Sequence, residues 1–203
     1  MITVGLTGSI GMGKSTTANM FRRAGFSVHD SDAAVHAIYR GPNVTRIEAL
    51  FPGVVVDGQV DRVRLAAQVL NNPERMRSLE ALVHPLVGQD REDFLAVARA
   101  RGDRLAVVDI PLLFEIQGTT AVDVVVVVSA PLEVQRARVL SRPGMTAGRF
   151  DAIIAKQAPD LEKRKGAHWV IDTSRGVENA EFQLRRFIEA IGSIGGYAGA
   201  ENA

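Results

Sequence analysis

The stretch GLTGSIGMGKST, residues 5–16, compresses three kinds of local structure into one short segment. Residues 2–7 are apolar and β-favouring, Gly8, Gly11 and Gly13 follow in close succession, and Lys14, Ser15 and Thr16 open an amphipathic run. That succession reads as a strand, a glycine turn and a helix start. Residues 8–15 satisfy G-x-x-x-x-G-K-[ST], in which glycine backbone lets successive N–H groups converge on an anion at a helix N-terminus. The ligand so favoured is a nucleoside di- or triphosphate, with ATP as the default, held by Gly8, Ser9, Ile10, Gly11, Met12, Gly13, Lys14, Ser15 and Thr16. Lys14 would reach the β- and γ-phosphates, and the Ser15 hydroxyl would ligate Mg²⁺.

Further β-rich runs recur at 27–30, 105–109, 123–129 and 168–171, with helical stretches between them. The run DVVVVVS does not alternate, as suits a strand buried on both faces of a parallel sheet. Alternating strands and helices predict an α/β three-layer fold on a five-stranded parallel sheet, with ligands at the carboxyl ends of the strands.

Residues 33–101 show no convincing strand and are far longer than one crossover needs, which predicts an inserted helical subdomain. Gly41-Pro42 breaks one helix there, Asn72-Pro73 starts another, and Pro85 is placed in the first turn of a third. From position 82 onward, Leu82, Leu86, Phe94, Leu95 and Ala98 share one face of a long helix. Residues 141–166 are rich in Arg and Lys, as a lid over phosphates would be. The nucleotide-binding core then comprises 1–32, 102–140 and 167–191, and the Gly- and Ala-rich tail 192–203 is expected to be disordered.

The chain of 203 residues carries 24 Lys and Arg against 23 Asp and Glu, so no overall field favours nucleic acid or an anionic membrane. It has no cysteine, which excludes disulfides and thiol chemistry and suits a reducing compartment. No N-terminal leader pattern is visible, and the apolar segment 121–130 is too short to span a bilayer. The expectation is a cytoplasmic protein acting on small molecules, with a monomer favoured.

A glycine loop alone does not separate kinases from switches or motors, and no N-K-x-D guanine-reading motif follows a strand here. In VVDIPLLFE, Asp109 ends a strand, where it is either a holder of a Mg²⁺-bound water or an ordinary strand-terminal carboxylate. In HDSDAAVHAIYR, Asp30 and Asp32 follow the second strand. Asp32 is the candidate for orienting an acceptor hydroxyl and taking its proton, although either residue could be a helix cap. In VQRARVLSRPGMT, Arg138 and Arg142 lie four apart and could close over a transferring phosphate, or simply form a solvated face; Arg136 should face away.

These motifs, with DGQVDRVRL, LEALVHPLV and KQAPDLEKRKGAHWVIDT in order along residues 2–191, resemble the dephospho-CoA kinase family. The resemblance implies a P-loop nucleotide-kinase core and transfer of the ATP γ-phosphate to the ribose 3′-hydroxyl of dephospho-CoA, with Mg²⁺. It further implies that Lys14 and Ser15 serve ATP and Mg²⁺, and that Asp32, Arg62, His84, Pro111 and Leu112 lie on the substrate side. Arg142 matches the lid arginine. The chain departs from the family where Ser9 and Met12 replace Gly and Ser, and where Ala167, His168 and Thr173 stand in a segment that tends to read A-D-x-x-I-x-N. At this point another small-molecule P-loop kinase, or a nucleotide sensor that does no chemistry, remains open.

Overall fold

The computed structural model describes residues 1–116 and 118–194. In chain order the elements are β1 (Ile2–Thr7), α1 (Lys14–Arg23), β2 (Ser27–Asp30), α2 (Ser31–Ile38), α3 (Val44–Leu50), β3 (Val55–Val56), β4 (Gln59–Val60), α4 (Arg62–Val69) and α5 (Pro73–Ala100). They continue with β5 (Leu105–Asp109), a 3₁₀ turn (Gly118–Ala121), β6 (Val124–Ser129), α6 (Leu132–Leu140), α7 (Ala147–Ile154), α8 (Asp160–Lys165), β7 (Trp169–Asp172) and α9 (Val177–Ile194). Five strands form one sheet in the order β2-β5-β1-β6-β7. Among the described residues no helix is long and apolar enough to cross a membrane.

The chain divides into two compact units, one of Met1–Val28 together with the residues from Asp103 onward, the other of His29–Gly102. In the first unit β1 is paired in parallel on both sides: Val4 faces Val107 of β5 and Val124 of β6, and Leu6 faces Asp109 and Val126. Val4 and Leu6 of β1, Val107 and Val108 of β5 and Val125–Val128 of β6 are fully or almost fully buried, so these strands have no solvent face and the run in β6 does not alternate. Met20 and Phe21 of α1, together with Leu184 and Phe187 of α9, pack on this sheet, with the rings of Phe21 and Phe187 meeting edge to face.

The second unit has its own core, in which Ile38, Ile47, Phe51, Val54, Leu65, Leu79 and Val83 come together. It also contains a small antiparallel hairpin, β3 with β4, that the sequence reading does not anticipate. The turn is Asp57-Gly58, both residues at positive φ (49° and 73°), the left-handed pair that a tight hairpin with right-twisted strands demands. Helix α5 starts at Pro73, where the Asn72 side chain accepts from the N–H groups of Glu74 and Arg75. It runs unbroken to Ala100, so Pro85 is interior and not in a first turn; its ring nitrogen has no hydrogen to give the Ala81 carbonyl, a loss tolerated because Pro85 is exposed. Gly192 and the two residues after it belong to α9, which corrects the expected start of the tail; residues 195–203 lie outside the described residues.

Within the first unit, α8 is fastened from below. The Lys163 side chain is fully buried, with Nζ 2.9 Å from Glu115 Oε1, and Glu115 Oε1 also accepts from the Ala158 N–H at 2.8 Å. Ser129 Oγ donates to Asp160 Oδ2 at 2.8 Å. Burial pushes the Glu115 carboxyl up, but the Lys163 ammonium and the Ala158 N–H more than offset this and hold it below its ordinary value. Because the folded-state value is depressed, the pair stabilises fully above the ordinary carboxylate value of 4.5 and its contribution is lost as pH falls through the folded value. Glu115→Ala leaves a buried ammonium unpaired and should cost about 3–5 kcal/mol in urea melts at pH 7. Lys163→Met, which removes the deeper charge, should cost clearly less. The gap between wild type and Glu115→Ala should narrow in melts below pH 4.

Candidate active site

The glycine loop leaves β1 and enters α1 through backbone that only glycine adopts freely: Gly11 and Gly13 have φ of 77° and 91°. A Cβ at Gly11 would also sit 2.5 Å from Val139 Cγ2 and 3.0 Å from the Gln135 carbonyl oxygen. Gly13 occupies the N-cap of α1 and supplies no side-chain cap, and the first turn of α1 holds no acidic residue. The orphan N–H groups there, next to Lys14 and the exposed Ser15 and Thr16, fit a polyphosphate.

Met12 does more than fill a free position of the pattern. It is buried, its thioether sulfur accepts the Ala130 N–H at 3.1 Å, and its carbonyl accepts from Thr173 Oγ1 at 2.9 Å. Thr173 in turn holds Arg138, whose guanidinium donates to Thr173 Oγ1 at 2.9 Å and to the Thr173 carbonyl at 2.7 Å. Arg138, in the last turn of α6, is thus bonded to the end of β7. Arg142 lies just past the C-terminus of α6 and is exposed. Both arginines nevertheless line one groove of about 320 Å³ with Gly11, Gly13, Thr16 and Thr173. Arg136 faces elsewhere, 3.1 Å from Asp151 and over the Phe150 ring on α7.

Asp109 ends β5 level with Leu6 of β1 and is 3% exposed. Its Oδ1 pairs with the Lys14 ammonium. A carboxylate this buried needs a cation, and Lys14 supplies it. Ile110 and Pro111 follow, with the Pro111 carbonyl accepting from Thr7 Oγ1 at 3.3 Å, and Leu112 is exposed.

The other candidates belong to the second unit. Asp30 caps α2 by accepting the Ala33 N–H at 3.0 Å, so Asp32, exposed in the first turn, has no capping duty. His36 lies one helical turn after Asp32 on the same face. Its Nε2 stands 3.0 Å from the Arg62 guanidinium, so sequence spacing and one long-range contact gather Asp32, His36 and Arg62. Burial raises the Tyr39 hydroxyl above its ordinary pKa, partly countered by the nearby charge of Arg62. His84 is exposed on α5.

His168 and Thr173 both have structural partners: His168 Nδ1 accepts the Val125 N–H at 3.0 Å, extending the β6–β7 pairing.

A sequence profile described as dephospho-CoA kinase matches residues 2–179. A dephospho-CoA kinase of Mesorhizobium japonicum is 56% identical over 191 residues, covering 94% of this chain and 97% of the relative. One from Rhodopseudomonas palustris strain HaA2 is 51% identical over 190 residues, covering 94% and 96%. Among solved structures, TT1252 from Thermus thermophilus is similar with a TM-score of 0.83 and 36% identity, over 93% of this chain and 96% of that one. A shikimate kinase from Acinetobacter baumannii, at a TM-score of 0.53 and 17% identity over 95% and 94% of the two chains, shares the fold.

Replacing Lys14 by Ala should remove most binding of an ATP analogue in calorimetry and leave the buried Asp109 without its cation, so the variant should also melt earlier. Unchanged binding would show that residues 8–16 do not hold the nucleotide.

Proposed function

The chain belongs to the dephospho-CoA kinase family, and from that premise we propose which side chains carry ATP-dependent phosphorylation of dephospho-CoA, the last step of coenzyme A synthesis. The observation that carries the reading is the buried Lys14–Asp109 pair beside an uncapped helix N-terminus. The β- and γ-phosphates of ATP lie on the N–H groups of the glycine loop and the first turn of α1. Lys14 exchanges one anion for another, leaving Asp109 for the phosphates. Asp109 and the Ser15 hydroxyl are then the residues that would hold Mg²⁺, Asp109 through a water. The ion supplies neutralisation of charge on the phosphates.

Asp32 accepts the proton of the acceptor 3′-hydroxyl as the oxygen–phosphorus bond forms and the bond from the γ-phosphorus to the bridging oxygen of ADP breaks. In a loose transition state its main work is orientation. Freedom from capping supports this role. Arg142, exposed at the groove that contains Gly11 and Gly13, is assigned to the charge on the transferring phosphoryl group. Arg138, tied to Thr173, shapes the wall of that groove. Arg62 and His84, with Pro111 and Leu112, are assigned to the dephospho-CoA side, and 141–166 to a lid.

ADP release is the test, with ATP and Mg²⁺ and dephospho-CoA, AMP, CMP or a hydroxy acid offered in parallel. Turnover with dephospho-CoA alone, giving coenzyme A, is expected; turnover with another acceptor would overturn the substrate assignment. Asp32→Ala should lose about 10²- to 10⁴-fold in kcat while still binding ATP. For Arg142→Ala, kcat should fall further than KM for dephospho-CoA rises, since the contact is made in the transition state; an unchanged kcat with a raised KM would make it a binding residue.

A further inference from the structure

The backbone of Ile10, in the middle of the glycine loop, is held by a side-chain amide at each of its two peptide groups. Its N–H donates to Gln157 Oε1 at 3.1 Å, and its carbonyl accepts from Gln135 Nε2 at 2.7 Å. The sense of each bond is fixed by chemistry, because a backbone N–H can only donate and a carbonyl can only accept. Gln135 is 3% exposed on α6. Gln157 is half-buried in the connection from α7 to α8, close to Ala158 and Asp160, which tie that connection to Glu115 and Ser129.

These bonds sort the loop's donors. The N–H of Ile10 goes to Gln157 and that of Met12 to the Ser9 carbonyl at 3.1 Å. The N–H groups of Gly11 and Gly13 have no partner among the described residues. Donors held by the protein thus alternate with donors left for an anion. Rotation of the Ile10–Gly11 peptide would turn the Gly11 N–H away, and the bond from Gln135 to the Ile10 carbonyl opposes that rotation directly.

We propose that Gln135 and Gln157 are positioning residues for phosphoryl transfer, Gln157 holding the Ser9–Ile10 peptide and Gln135 the Ile10–Gly11 peptide, so that the Gly11 and Gly13 N–H groups are aimed before the nucleotide arrives. The inference rests on the reading of residues 8–16 as the phosphate cradle. Neither amide reaches the phosphates; both act through the backbone they hold. A loop set in advance stabilises the charge developing in the transition state without reorganising during the reaction. Because Gln157 follows α7 directly, the shape of the cradle also depends on how the 141–157 segment is seated. One hydrogen bond links the two.

The test uses the whole chain with four substitutions, Gln157→Met, Gln157→Glu, Gln135→Met and Gln135→Glu. Methionine removes each bond at nearly constant volume. Glutamate keeps an acceptor, so it can serve Ile10 N–H at 157 but sets oxygen against oxygen at 135. At saturating ATP and dephospho-CoA, Gln157→Met and Gln135→Met should each lower kcat about tenfold. Gln157→Glu should recover most of the loss, whereas Gln135→Glu should be at least as slow as Gln135→Met. Affinity for an ATP analogue should change less than kcat in the methionine variants. An unchanged kcat in Gln157→Met, or Gln157→Glu as slow as Gln157→Met, would overturn the inference. If the buried 135 variants do not fold, the Gln157 pair decides alone. Lys14→Ala is run alongside: an active Lys14→Ala would sink the cradle reading itself, while an inactive one beside indifferent Gln157 variants would sink only the positioning role.

Discussion

A helix that begins with glycine at its cap and no acid in its first turn leaves its N-terminal N–H groups looking for an acceptor, and much of the first unit is organised around α1 doing so. The central strand β1 delivers the loop from between two neighbours, so the loop's root cannot shift without breaking the sheet. Gly11 and Gly13 allow the turn, and Met12 is pinned through both its sulfur and its carbonyl. Lys14 waits on a carboxylate that sits where the neighbouring strand ends. The site is a small region of unmet hydrogen-bonding capacity held in shape by many bonds that are met.

The elements legible in the sequence are those with a physical period or a local chemical rule. Strand β6 declares itself as an unalternating β-branched run because both of its faces are covered. The start of α5 is readable from Asn72-Pro73. The β3–β4 hairpin escapes because two-residue strands have no period, although Asp57-Gly58 between valines is a turn signal in its own right. Pro85 misleads because proline usually marks a helix start, while a long helix anchored through Leu79, Val83 and Leu95 can absorb it on an exposed turn.

The candidate site divides the same way. Lys14 and Ser15 follow from a contiguous motif. Asp30 and Asp32 could each cap from sequence alone, and only the Ala33 bond to Asp30 tells them apart. Spacing puts Arg138 on the groove side of α6 but cannot show Thr173 waiting there, since that contact depends on where β7 ends. Gln135 and Gln157 are least visible of all: uncharged, unpatterned, and meaningful only through a peptide far away in sequence.

The strand order has a consequence for how the chain comes to be folded at all. Residues 29–102 form a unit from contacts within one continuous segment, so its helices can pack as soon as they have been synthesised. The central strand has no such partner nearby: Ile2 waits for Leu105, and Val4 waits for both Val107 and Val124. During synthesis β1 thus leaves the ribosome well before the strands it pairs with, an apolar segment open on both edges while the middle of the chain matures. The nucleotide loop it carries can take its final shape only after β6 and β7 exist, so the phosphate site is completed long after its own sequence has been made.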